Sequence, residues 1–215
     1  KPVFAGVERW PDLDEESLLA ANPDAAASLL GIGERIAEWY DGRVRLILTD
    51  DLGCAEVAEA CDAIAENPPK TFREAMQLHY FIFVGLFIEG NAGGYSPGRM
   101  DQYLYPYYLR DRAEGILDDA TALELIECFW IKSNDAVWYW DEAGIKHYAG
   151  YCSFQNVCLG GLDRETGQDG VNELTYLMLK ATIDLQMVQP SVSVRLSKKN
   201  PEDYFLKIAE LVRTG

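Results

Sequence analysis

Phe154-Gln-Asn-Val-Cys-Leu-Gly-Gly161 and Gln189-Pro-Ser-Val-Ser-Val-Arg-Leu-Ser197 decide the fold class of this 215-residue chain. The first is a short apolar run closed by a Gly-Gly turn. The second alternates Val192, Val194 and Leu196 with other residues, the two-residue period of a strand. About thirty residues separate the two runs, and Asn172 to Met187 between them has the pattern of a helix. Strand, helix and strand make a βαβ unit, for which a right-handed crossover is expected. Along the first strand, alternation puts Asn156 on the same side as Phe154, with Ser153 and Gln155 on the other. A sheet of two strands is too small to stand alone. The fold class is therefore α/β, and the chain reads as part of a larger sheet.

Working outward, residues 1–69 read as helices and turns. Pro11 and the acids after it open a helix through Leu18 and Leu19, and Pro23 opens another through Leu29, Leu30, Ile36 and Trp39. Val44 to Leu48 is too short for periodicity to separate strand from helix. Cys54, Val57, Ala58, Cys61 and Ile64 recur at three and four, one helix face, and Asn67-Pro68-Pro69 ends it. Thr71 with Glu74 three residues on is a capping box. The helix it starts, Phe72 to Ile88, is apolar on nearly every side, which places it inside a larger protein. Gly90 to Gly98 reads as a loop. Asp118 starts a helix through Leu123, Leu125, Ile126, Phe129 and Trp130, and Pro201 opens a last one.

Composition excludes several classes. The formal charge is −16 and no cluster of Lys and Arg occurs, so no nucleic-acid partner is expected. The longest apolar run, Tyr80 to Ile88, is far too short to span a bilayer. The N-terminus lacks a basic-then-apolar leader, and a cytoplasmic protein is expected. Cys54, Cys61, Cys128, Cys152 and Cys158 contain no Cys-x-x-Cys pair, and His79 and His147 are the only histidines. That suits neither a disulfide framework nor a zinc site, so no metal and no bound cofactor are expected, and the thiols read as reduced and mostly buried.

Two blocks carry a more specific signal: Asn67-Pro-Pro-Lys-Thr-Phe-Arg-Glu-Ala-Met-Gln77 and Ser96-Pro-Gly-Arg-Met-Asp-Gln-Tyr-Leu-Tyr-Pro-Tyr-Tyr108. With Phe154-Gln-Asn156, Gly160-Gly161, Asn172-Glu-Leu-Thr-Tyr176 and Gln189-Pro-Ser-Val-Ser-Val-Arg195, in that order, residues 66–215 resemble glycyl radical enzymes of the pyruvate formate-lyase family. Residues 1–65, the helical N-terminal part, match only loosely. The resemblance implies an α/β barrel of ten strands in two halves, of which this chain would be a helix-rich segment of the first half. It implies a Cys in a Gly-Cys-x-Glu loop that becomes a thiyl radical. A Gly in an Arg-Val-x-Gly-aromatic loop would carry the stored radical, installed by a separate S-adenosylmethionine iron–sulfur activating enzyme. It also implies a small-molecule substrate and a homodimer. No Arg-Val-x-Gly-aromatic string occurs in these residues, and the family's Cys loop is expected just beyond Gly215. Gly53-Cys54-Ala55-Glu56 matches the string but stands before the Ser96 block, on a helix face shared with Cys61, so Cys54 reads as a structural thiol. No catalytic residue is assigned within the chain.

The resemblance also supplies candidate site residues. Phe154 matches a pocket-lining aromatic, and Asn156, Tyr95, Ser96 and Tyr148 are expected around the same pocket. Arg99 and Asp101 either position the active-site loop or form a buried ion pair that fixes the Gly-rich turn. The tyrosines at 103, 105, 107 and 108 read as packing residues. Gly93-Gly94 stands where diol-dehydrating relatives carry His followed by Ser or Ala, which removes a side-chain proton donor there. The aromatic stretch Trp138-Tyr-Trp140 with His147 and Tyr148 reads equally as the wall of a pocket for an aromatic or ring substrate and as a buried loop. The expected activity is an anaerobic lyase that breaks a C–C or C–heteroatom bond by dehydration or decarboxylation. Hydroxyproline-type dehydration and arylacetate decarboxylation fit better than diol dehydration. The alternative is a non-catalytic helical scaffold or binding module, against which the all-apolar helix at 72–88 argues.

Overall fold

The computed structural model describes residues 55–65, 67–90, 94–135, 142–148 and 152–214. The sequence expectations at Pro11, Pro23 and Val44–Leu48, at Cys54, at Gly93 and at Trp138–Trp140 lie outside the described residues. The chain divides into two compact units, Lys1–Gly90 and Asn91–Gly215.

In the first unit, α1 (Ala55–Ala65) packs on α2 (Phe72–Gly90). The expected capping box is present. Glu74 N donates to Thr71 Oγ1 at 3.2 Å, and Thr71 N and Lys70 N donate to Glu74 Oε2 at 3.4 and 2.6 Å. Those bonds satisfy amides that the first helical turn leaves without intrahelical partners. One face of α2 is fully buried, through Phe72, Ala75, Met76, His79 and Phe83 at helical spacing. Its remaining apolar residues are half-buried, up to Ile88, which is exposed. Burial holds the His79 imidazole down at about 4. Burial, with the Asp62 carboxylate beside it, pushes the Cys61 thiol up to about 11. No helix among the described residues is long and apolar enough to cross a membrane.

In the second unit, three parallel strands lie in the order β1 (Gly94–Gly98), β2 (Phe154–Gly160) and β3 (Ser191–Arg195). The βαβ unit of the sequence is β2, α7 (Glu173–Leu185) and β3. The strand at Gly94–Gly98 corrects the loop expected over Gly90 to Gly98. Gly and Pro disfavour strands when judged alone, but pairing with β2 supplies the partner. Tyr95 pairs with Gln155 and Gly98 with Val157, so three steps on β1 face two on β2. Pro97, which has no N–H to give a ladder, sits in that one-residue bulge.

Between β1 and β2 run α3 (Met100–Tyr103), α4 (Tyr105–Ala113), α5 (Asp119–Ser133) and α6 (Glu142–Tyr148). Asp118 caps α5, accepting from Thr121 N at 2.7 Å. Asn172 caps α7 in a reciprocal box with Thr175. Pro201 directly precedes α8 (Glu202–Thr214). Helix α7 packs on α5 and α8, burying Trp130, Leu174, Met178, Leu179 and Tyr204. Trp130 Nε1 finds Thr182 Oγ1 at 3.0 Å, so the indole is buried without an orphaned donor.

Candidate functional site

Alternation along β2 divides the sheet into two faces. Gln155, Val157 and Leu159 are fully buried, whereas Phe154, Asn156 and Cys158 are exposed or half-buried. Parallel register carries the open face across all three strands: Gly94 stands beside Phe154, Ser191 beside Asn156 and Ser193 beside Cys158. Ser96, exposed, follows Gly94 on the same face by alternation. Phe154 keeps 47% of its surface exposed, high for an aromatic ring on a sheet.

The polar groups of this face are ordered among themselves. Ser191 Oγ donates to the Gln155 carbonyl at 3.1 Å, so it accepts from Asn156 Nδ2 at 3.1 Å. That fixes the amide orientation, and the second Nδ2 proton goes to Ser193 Oγ at 2.9 Å. Among the described residues, Asn156 Oδ1 and the Ser193 hydroxyl proton are left uncommitted. An acceptor and a donor side by side can hold a hydroxyl or an amine. The register that makes this possible is clamped from the buried side. Gln189 Oε1 accepts from Gln155 N at 2.8 Å and from Ser191 N at 3.3 Å, while Gln155 Nε2 donates to the Ser133 carbonyl at 2.8 Å.

At the far end of β2, Arg99 and Asp101 grip the Gly160–Leu162 turn. Arg99 donates to the carbonyls of Gly160 and Leu162 at 2.8 and 2.9 Å. Asp101 Oδ2 accepts from Gly160 N at 2.7 Å and from Thr175 Oγ1 at 2.8 Å, and its carbonyl accepts from Asn172 Nδ2 at 2.8 Å. Each binds backbone, and no ion pair joins the two side chains among the described residues. Burial, opposed by the bonds from Gly160 and Thr175, raises the Asp101 carboxyl above its usual range. Gly160 and Gly161 are required here. They have φ of 67° and 82°, and a Cβ on Gly160 would stand 2.1 Å from the Tyr204 hydroxyl.

Of the candidate residues, Phe154, Asn156 and Ser96 share the open face. Tyr95 does not; it pairs with Gln155 on the helix-covered face, where burial raises its phenol well above the usual range. Tyr148 is the last residue of α6, and His147 is exposed there. Tyr103 ties its hydroxyl to the Pro97 carbonyl at 2.8 Å, across the bulge. Tyr105 bonds Glu173, Tyr108 bonds Asp119 at 2.6 Å, and Tyr107 lies under the Arg110 guanidinium. Cys158, Ser191 and Ser193 were not singled out as site residues from sequence. The other phase of the 189–197 alternation, Ser191 and Ser193, held the signal.

A parallel sheet with helices on one face and a polar, ordered opposite face defines an α/β segment, and comparison gives its family. Residues 54–215 match the model of the pyruvate formate lyase-like family, and the chain belongs to that family. It is 34% identical over 216 residues to trans-4-hydroxy-L-proline dehydratase from Clostridioides difficile, covering 95% of this chain and 27% of that protein. It is 38% identical over 161 residues to isethionate sulfite-lyase from Nitratidesulfovibrio vulgaris, covering 74% of this chain and 19% of that one. The crystal structure of the C. difficile hydroxyproline dehydratase with trans-4-hydroxy-L-proline bound superposes with a TM-score of 0.76 at 32% identity, over 94% of this chain and 26% of that chain. The chain thus spans about a quarter of the length of the first relative, and its fold is that of a segment of a glycyl radical enzyme.

Proposed function

We propose that this chain forms one wall of the substrate pocket in an anaerobic glycyl radical lyase. The reaction breaks a C–heteroatom or C–C bond of a small organic substrate, with hydroxyproline-type dehydration ahead of arylacetate decarboxylation. The carrying observation is the ordered open face of the sheet: Asn156 locked by Ser191 and Ser193 beside an exposed Phe154. The family's thiyl radical would supply hydrogen-atom abstraction at carbon, a chemistry that demands exclusion of water and oxygen. Phe154 would cover the apolar part of the substrate. Asn156 Oδ1 and the Ser193 hydroxyl would hold its hydroxyl or amine, and Ser96 would border the same pocket. Tyr95 would support it from the covered face, and Tyr148 would belong to the same pocket on the strength of the family resemblance. Arg99 and Asp101 would act as positioning residues, holding the turn that ends β2. The stored glycyl radical, the S-adenosylmethionine iron–sulfur activating enzyme that installs it, a homodimer and a cytoplasmic site complete the proposal, on the strength of family membership.

The test is anaerobic. The natural polypeptide, treated with a glycyl radical activating enzyme, is expected to give a glycyl doublet in electron paramagnetic resonance and to turn over trans-4-hydroxy-L-proline or an arylacetate. Asn156→Ala should lower kcat/KM by roughly tenfold or more, about the worth of one or two hydrogen bonds, with the radical yield unchanged. Absence of the doublet sinks the proposal.

A further inference from the structure

The lock on the open face is tied to a residue on the covered side of the sheet. Asn134 closes helix α5, and its side-chain amide is spent in full. Nδ2 donates to the Trp130 carbonyl at 2.8 Å and to the Gln189 carbonyl at 2.5 Å, with the Met187 sulfur 3.8 Å away. Oδ1 accepts from Gln189 N at 3.2 Å and from the Cys152 thiol at 3.7 Å. Carbonyls on one side and donors on the other leave a single orientation for the amide. A helix cap alone would use only the bond to Trp130. The two bonds to Gln189 grip that residue by its N–H and its carbonyl together, which fixes both its position and the way it faces.

Gln189 passes the constraint on. Its Oε1 accepts from Gln155 N and Ser191 N, at the starts of β2 and β3. Ser191 is where the two faces meet. Its N–H belongs to this buried network, and its hydroxyl accepts from Asn156 Nδ2 on the open face. Gln155 closes the circuit by donating to the carbonyl of Ser133, the residue before Asn134. Gln155 and Ser133 are fully buried and Gln189 nearly so. A buried polar network holds its geometry as a unit, because a member left unpaired there is costly. Only Gln189 and Ser191 stand between Asn134 and Asn156 on this path.

We infer that Asn134 is a positioning residue for the open face: it holds Gln189 so that Ser191 keeps Asn156 in its locked orientation. The inference rests on the lyase reading for what Asn156 does, whereas the positioning itself is tested without substrate. Crystal structures of the natural polypeptide and of its Asn134→Ala variant give one answer. In the variant, Asn156 Nδ2 is expected to leave hydrogen-bond distance of Ser191 Oγ, and an Asn156 that stays in place overturns the inference. Kinetics of the activated enzyme, on whichever of trans-4-hydroxy-L-proline and 4-hydroxyphenylacetate it turns over, give the other. Asn134→Ala should lower kcat/KM roughly fivefold or more in the wild-type background and less than about twofold in an Asn156→Ala background, with the glycyl radical yield unchanged. A residue that only caps its helix would lower both backgrounds alike or lower the radical yield, and either result overturns the inference. Gln189→Leu breaks the same path one residue nearer to Ser191 and must show the same non-additivity and the same displacement, so the test stands even where Asn134→Ala does not fold. A displaced Asn156 in a protein that forms no radical sinks the lyase reading and leaves the positioning role standing.

Discussion

Asp101 shows how a buried carboxylate can be held by hydrogen bonds to backbone and hydroxyl, with the Arg99 charge near but not in contact. Its Oδ2 takes one bond from Gly160 N and one from Thr175 Oγ1, while Oδ1 has no hydrogen bond. Asp101→Asn retains an acceptor for both donors and removes the buried charge, so stability should change by less than about 1 kcal/mol. Asp101→Ala leaves an amide and a hydroxyl without an acceptor and should cost about 2–4 kcal/mol. Urea unfolding of the two variants decides this; equal losses would mean that the charge matters and not the bonds. At this scale the sequence exposed the Arg99–Asp101 pair but not its geometry. An Arg and an Asp two residues apart suggest each other as partners. Only the arrival of Gly160, some sixty residues later in the chain, gave each a backbone partner instead. Asn156 was legible by alternation, whereas its lock on Ser191 and Ser193 needed the register of β3.

Among the elements, helices were the most legible because their boundary signals are local. Asp118 and Asn172 cap the helices they precede, and Thr71 with Glu74 forms its box. Asn172 does more than cap. Its Oδ1 accepts from Thr175 N at 3.0 Å, and its Nδ2 reaches the Asp101 carbonyl at 2.8 Å. Asn172→Asp keeps the cap and loses the second bond, whereas Asn172→Ala loses both. Thermal unfolding should place Asp about 1 kcal/mol below wild type and Ala about 2 kcal/mol below. An Asp variant as stable as wild type would show that the tie to Asp101 contributes nothing. Strand β1 was not legible, because Gly-Tyr-Ser-Pro-Gly has neither apolar alternation nor β-branched residues. It is a strand through its pairing with β2, a long-range fact that no window of local sequence contains.

For the whole molecule, the two compact units should answer acid in opposite directions. His79 in the first unit has its folded value held at about 4, below its ordinary 6.5. A depressed value means stability that is present above pH 6.5 and lost as pH falls toward 4, up to about 3 kcal/mol over that window. Asp101 in the second unit is shifted upward. Its folded form holds the proton more tightly than the unfolded chain, so acidification across its titration favours that unit. Hydrogen exchange at pH 7 and pH 5 should therefore show α2 losing protection while β2 and α7 keep theirs. His79→Leu should flatten the response of α2. Equal loss in both units would contradict this assignment.

The family was legible from the chain alone because its blocks, above all Ser96 to Tyr108, combine residues that the fold needs at fixed spacing. The sequence by itself determined the α/β class, the helix starts, the βαβ unit and the side of the strand that Phe154 and Asn156 share. All of these follow from local periodicity or capping. Tertiary structure decided that Gly94–Gly98 is a strand, that Tyr95 turns to the covered face, and that Arg99 and Asp101 hold a turn instead of each other. Each depends on which distant backbone lies alongside, and that is set by packing and register across the whole sheet.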